Sequence, residues 1–107
     1  MRTIKGWQME VDDWANQFEK PYFSPLSLLA ALVEEVGETA RVMNTLYGDK
    51  KKKDSDQIKD LEEEIGDILF SLTCIANSHN MNLDKILDDK MDKVYGIDNN
   101  RFKKKTD

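Results

Sequence analysis

The sequence predicts an all-α protein: a four-helix bundle-like single domain spanning residues 1–107. Three observations carry this. Apolar residues recur at spacings of three and four in four separate stretches, and no stretch reads convincingly as a strand. Charged residues make up 35% of the chain and hydrophobic ones 39%, which suits amphipathic helices with heavily charged outer faces. At 107 residues, the length fits one domain with a modest core, and there is no linker or internal repeat to divide it.

The first helix is expected from Ile4 to Phe18, where Trp7, Val11, Trp14 and Phe18 share a face. It must stop before Pro21, because the residue preceding proline is pushed out of the helical region. Ser24 followed by Pro25 is a helix start: a capping hydroxyl, then proline at the first helical position. The second helix runs to Tyr47, with Gly48 as its C′ residue. A lysine-rich loop from Asp49 to about Ser55 leads to a third helix, Asp56 to His79. The turn Asn80-Met81-Asn82 leads to a fourth, Leu83 to Tyr95, closed by Gly96. Residues 97–107 form a charged tail that frays unless it docks.

Composition narrows the function. A net charge of -5 argues against nucleic acid and anionic membranes as partners. The lysine runs Lys50–Lys53 and Lys103–Lys105 read as solubilising segments. One cysteine, Cys74, leaves no intramolecular disulfide and no multi-cysteine zinc site. No apolar stretch approaches membrane-spanning length and the N-terminus has no signal-like core, so a cytoplasmic protein is expected.

The acids are placed in a pattern. On a helical wheel at about 100° per residue with Glu35 at zero, Leu28, Leu29, Leu32, Val36, Ala40, Met43 and Leu46 span about 20° to 140° and Glu38 lies near 300°. With Glu64 at zero, Leu61, Ile65, Ile68, Leu69, Leu72, Ile75 and Ala76 span the same arc and Asp67 lies near 300°. Two successive helices thus carry an i, i+3 carboxylate pair at the edge of an apolar stripe. If the stripes pack together, four carboxylates meet. Such a cluster repels itself unless it is protonated or binds cations. Oxygen ligands without histidine favour a hard ion, magnesium or manganese. A solvated acidic helix face is the competing reading of the same residues.

Glu34-Glu35-Val36-Gly37-Glu38 with Glu64-Ile65-Gly66-Asp67 resembles the Glu-Glu-x-x-Glu … Glu-x-x-Asp signature of MazG-like nucleoside triphosphate pyrophosphohydrolases. The likeness extends to Tyr22–Leu26, Leu61–Leu72, Ala76–Ser78 and Lys90, Lys93 and Arg101. It implies that Glu35, Glu38, Glu64 and Asp67 hold magnesium against the phosphates of a nucleoside triphosphate, which is cleaved to the monophosphate and pyrophosphate. On that resemblance Glu34 activates or supports the attacking water, or is a surface glutamate. Lys90, Lys93 and Arg101 meet phosphate oxygens or form a solvated face. Trp7, Trp14, Phe18, Tyr22 and Phe23 sit where a base could stack, although two tryptophans at helical spacing are more often core. Asn77 touches a base or sugar, or makes a helix-end hydrogen bond. Phe70 and Cys74 lie off the main stripe of the third helix, which suggests a subunit interface and agrees with the homodimers or homotetramers of such proteins. The rival readings are a related phosphohydrolase with a narrower substrate and a non-catalytic metal- or nucleotide-binding helical module.

Overall fold

A computed structural model describes residues 1–49 and 58–106. Among the described residues there are four α-helices and no strand: α1 (Ile4–Ala15), α2 (Pro25–Tyr47), α3 (Ile58–Ser78) and α4 (Leu83–Gly96), followed by a 3-10 turn at Asp98–Asn100. The expected start of the third helix at Asp56, and most of the lysine-rich loop before it, lie outside the described residues.

Local chemistry sets the ends. Thr3 caps α1, its hydroxyl accepting from the Gly6 amide at 3.0 Å. The helix ends at Ala15, three residues short of Phe18: the Asn16 amide still bonds the Asp12 carbonyl at 3.0 Å, but the Gln17 and Phe18 amides tighten onto Trp14 and Ala15, three residues back. Ser24 caps α2 and Pro25 opens it, as expected. Gly48 does terminate α2, but with φ −94° rather than in the left-handed region. A side chain there would press on Asn44, its Cβ standing 2.7 Å from the Asn44 carbonyl oxygen, so space and not backbone freedom requires glycine. Among the described residues the left-handed one is Asn80, φ 55°, in the α3–α4 turn. Met81 N–H reaches the Ala76 carbonyl (2.9 Å) and Asn80 N–H reaches Asn77 (3.1 Å), a Schellman closure. Gly96 does not close α4 as expected; it is the last residue of the helix, and Ile97 remains helical with its amide on Lys93.

α2 and α3 lie side by side and antiparallel, since Glu35 meets Glu64 and Asp67 while Leu28 meets Cys74. α1 packs on another face of α3, and α4 packs on α1. The core gathers Val11, Leu28 and Cys74, with Trp7, Tyr22, Phe70 and Ile75 packed against it. Phe70 and Cys74 therefore serve packing within one chain, not the subunit interface expected of them: their face of α3 is the one that α1 covers. Trp7 donates to Thr73 Oγ1 at 2.8 Å, and Thr73 bonds back to the Leu69 carbonyl, so both buried polar groups are satisfied. No helix among the described residues is long and apolar enough to cross a membrane. Because α1 stands on its Thr3 cap, Thr3→Ala is expected to lower unfolding stability by about 1 kcal/mol in a urea titration.

Candidate metal centre and adjoining cavity

The wheel positions of the buried residues correct one expectation. On α2 the covered residues Leu28, Ala31, Leu32, Thr39, Val42, Thr45 and Leu46 fall on both sides of Glu35, between about 280° and 60°, with half-covered Arg41 just beyond at about 240°. On α3 the half-buried Asp60, Leu61, Ile68, Ser71 and Ile75 bracket Glu64 in the same way. The acids thus lie in the α2–α3 seam itself, and the far half of each apolar stripe is left outside. Leu29, Val36 and Met43 on α2 and Ile65, Leu69 and Leu72 on α3 are exposed.

Glu35 and Glu64 are half-buried and Asp67 is exposed; one carboxylate oxygen from each lies within 4.8 Å of the others. Glu64 Oε2 is buried and has no hydrogen-bond partner. Burial raises the Glu35 pKa above the ordinary glutamate value, and the negative charges of Asp67 and Glu64 add to the shift. An orphaned carboxylate oxygen and a carboxyl resisting ionisation are what a cation would relieve. Hard oxygen donors with no nitrogen or sulfur suit magnesium or manganese.

The fourth expected ligand is not in this group. Glu38 turns outward to Arg41 Nε at 3.4 Å, its side chain 56% exposed. Glu34 is exposed on the neighbouring face of α2.

A cavity of about 380 Å³ opens beside the cluster. Ala31 lines it one turn from Glu35, and Phe70 and Ser71 line it one turn from Asp67, so cluster and cavity stand about 5 Å apart along each helix. Trp14 and Phe18 are both in its wall, with ring centroids 5.0 Å apart, and Phe70 stands edge-on to Trp14 at 5.7 Å. Leu28 and Cys74 form the base, and Lys20, Pro21, Tyr22 and Phe23 close the side. Sequence reading missed Lys20, Pro21, Leu28, Ala31 and Ser71. The available signal was small residues, Ala31 and Ser71, one turn from an acid on each facing helix.

Other expected substrate contacts are elsewhere. Asn77 is ten residues beyond Asp67, about 15 Å along α3. Its amide exchanges hydrogen bonds with Gln8, which also ties down Met81 and Leu83. It is a structural joint between α1, α3 and α4. Lys90, Lys93 and Arg101 do not line the cavity; Arg101 contacts Asp98 at 3.4 Å and stacks over Phe102.

An all-helical chain with an oxygen-rich interhelical centre beside an aromatic cavity is the class that includes the helical nucleotide pyrophosphohydrolases. Residues 23–102 match the family model described as the MazG nucleotide pyrophosphohydrolase domain, and the chain belongs to that family of hydrolases. It is 46% identical over 104 residues to the uncharacterized protein YpjD of Bacillus subtilis (strain 168), covering 97% of this chain and 94% of the relative. Its fold resembles the crystal structure of the candidate pyrophosphatase YpjD from Bacillus subtilis, with TM-score 0.81 and 48% identity over 87% of this chain and 95% of the other. It also resembles the Bacillus-conserved MazG protein, a nucleotide pyrophosphohydrolase, with TM-score 0.76 and 42% identity over 87% and 90%.

Proposed function

We propose that this chain, as one domain over residues 1–107, hydrolyses a nucleoside triphosphate to the monophosphate and pyrophosphate, with magnesium held by Glu35, Glu64 and Asp67. Manganese is the natural substitute. The observation that carries this is the unpartnered, buried Glu64 Oε2 between two other carboxylates, one helical turn from an aromatic cavity. Magnesium, when bound, neutralises the triphosphate and lowers the pKa of a coordinated water. Trp14 and Phe18 stack the base, which sets the phosphates toward the acids. Glu34 accepts the proton of the attacking water, directly or through a neighbouring water. Glu38 serves as a fourth ligand only after leaving Arg41. Cytoplasmic nucleotide-pool housekeeping suits this chemistry. The test is pyrophosphate release from a panel of ribo- and deoxyribonucleoside triphosphates with and without magnesium. Release from none of them by folded, magnesium-loaded protein sinks the reading and favours a binding module.

A pH prediction follows from Glu35. A carboxyl whose folded pKa is raised contributes most to stability when protonated, and that contribution is lost as pH rises through the folded value. Magnesium needs the ionised form. The rise in melting temperature on adding magnesium should therefore grow as pH rises through the folded pKa of Glu35, which lies above the ordinary glutamate value. A flat profile in calorimetry would count against these ligands.

We also propose that the chain self-associates as a homodimer or homotetramer through the open apolar face of α2 and α3. The support is the exposure of Leu29, Val36, Met43, Ile65, Leu69 and Leu72 on one side of the pair.

A further inference from the structure

Much of the cavity wall is not helical. Phe18, Lys20, Pro21, Tyr22 and Phe23 all belong to the connection between α1 and α2. Its first turn is held by backbone bonds, from Gln17 N–H to Trp14 and Phe18 N–H to Ala15, and its end by the Ser24 cap. Between these, over residues 19–23, the bond found among the described residues is made by a side chain: Tyr22 Oη donates to Asp12 Oδ1 on α1. The Asn77 side chain also interacts with the phenol, and Asn77 is itself fixed by Gln8. The Tyr22 ring packs on the core of Val11, Leu28 and Cys74.

We propose that the Tyr22–Asp12 hydrogen bond latches residues 16–24 in place as a wall of the cavity, making Tyr22 and Asp12 positioning residues for nucleotide binding. The inference rests on the pyrophosphohydrolase reading above. Its physical basis is an entropy argument. An irregular segment with few backbone bonds samples many conformations, and a ligand must select the one that completes the wall. A latch made in the free protein removes that cost, so its loss weakens binding without touching the acids that carry the reaction. Burial, together with the bond to Asp12, pushes the phenol pKa up to about 12, so Tyr22 stays a donor across the physiological range.

The experiment compares Tyr22→Phe, Asp12→Ala and Asp12→Asn in the full chain with magnesium, using the best triphosphate of the panel. Tyr22→Phe keeps the ring on the core, so folding is preserved and melting temperature serves as the control. The expected result is a KM raised about fivefold with kcat within about twofold of the unsubstituted protein. Amide hydrogen exchange over residues 17–23, without nucleotide, should quicken by a similar factor of about five. Asp12→Ala should match Tyr22→Phe, the double variant should be no worse than either, and Asp12→Asn, which keeps an acceptor, should recover most of the KM. Unchanged KM in Tyr22→Phe, additive effects in the double variant, or a fall in kcat at constant KM would each overturn the latch. If the unsubstituted protein releases no pyrophosphate, the functional reading fails and takes this one with it; activity with indifferent variants removes this one alone.

Discussion

Glu35→Gln should abolish magnesium-dependent pyrophosphate release, by at least about 100-fold, while raising the melting temperature of the metal-free protein. The two effects have opposite signs for one reason. Without a cation, Glu35 is a carboxylate held in a partly covered seam against Glu64 and Asp67, and its raised pKa reports that ionising it there is unfavourable. Glutamine has the same shape, carries no charge, and brings an N–H₂ that can donate to the orphaned Glu64 Oε2. The metal-free fold gains. With magnesium the balance reverses: the substituted site lacks one anionic oxygen, so the rise in melting temperature on adding the ion should shrink. Calorimetry of both proteins at about pH 7.5, with magnesium or with a chelator, reads both signs at once. A variant that melts lower than the unsubstituted protein in chelator, or that keeps the full magnesium gain, rules out the cluster as a metal site. Glu38→Gln offers a graded comparison. Its carboxylate starts on Arg41, so its substitution should cost less magnesium stabilisation than that of Glu35.

The parts of this protein legible in its sequence are those written in local chemistry. The span of α2 follows from Ser24, Pro25 and the apolar period, and the structure returns it unchanged. The pairing of Glu35 with Glu64 and Asp67 was foreshadowed by equal spacing on two helices. What could not be read was which half of a broad apolar arc would meet its neighbour. An arc about 120° wide is wider than one helix contact needs, and periodicity alone does not say which edge is used. The structure uses the edge that carries the acids. Glu38 shows the same limit: it holds on α2 the wheel position that Asp67 holds on α3, but its carboxylate lies on the i, i+3 partner Arg41 and not with the other acids. Phe70 and Cys74 were misassigned because a second buried face on α3 looks alike in sequence whether α1 or another subunit covers it. The contribution of the 16–24 connection to the cavity depends on one tyrosine–aspartate contact, which no periodic pattern records.

If the chain self-associates through the open face of α2 and α3 as proposed, Leu69→Glu should turn it into a monomer. The chain exposes 8865 Å². A compact protein of 12.4 kDa is expected to expose only about 6,100 Å². Its radius of gyration, 17.5 Å, likewise exceeds the value of about 13 Å usual for this length. Leu69 is 52% exposed within the open apolar stripe, between Ile65 and Leu72. In a two-fold interface each substitution enters twice, so an unpaired glutamate is buried on both sides at a cost of several kcal/mol. Light scattering across about 5–100 μM should give at least twice 12.4 kDa for the unsubstituted protein and one chain mass for the variant. A monomeric unsubstituted protein over that range would remove the interface. Since Glu35, Glu64 and Asp67 come from a single chain, magnesium should still raise the melting temperature of the monomeric variant. Loss of that gain on dissociation would instead mean that assembly holds the α2–α3 seam closed around its acids.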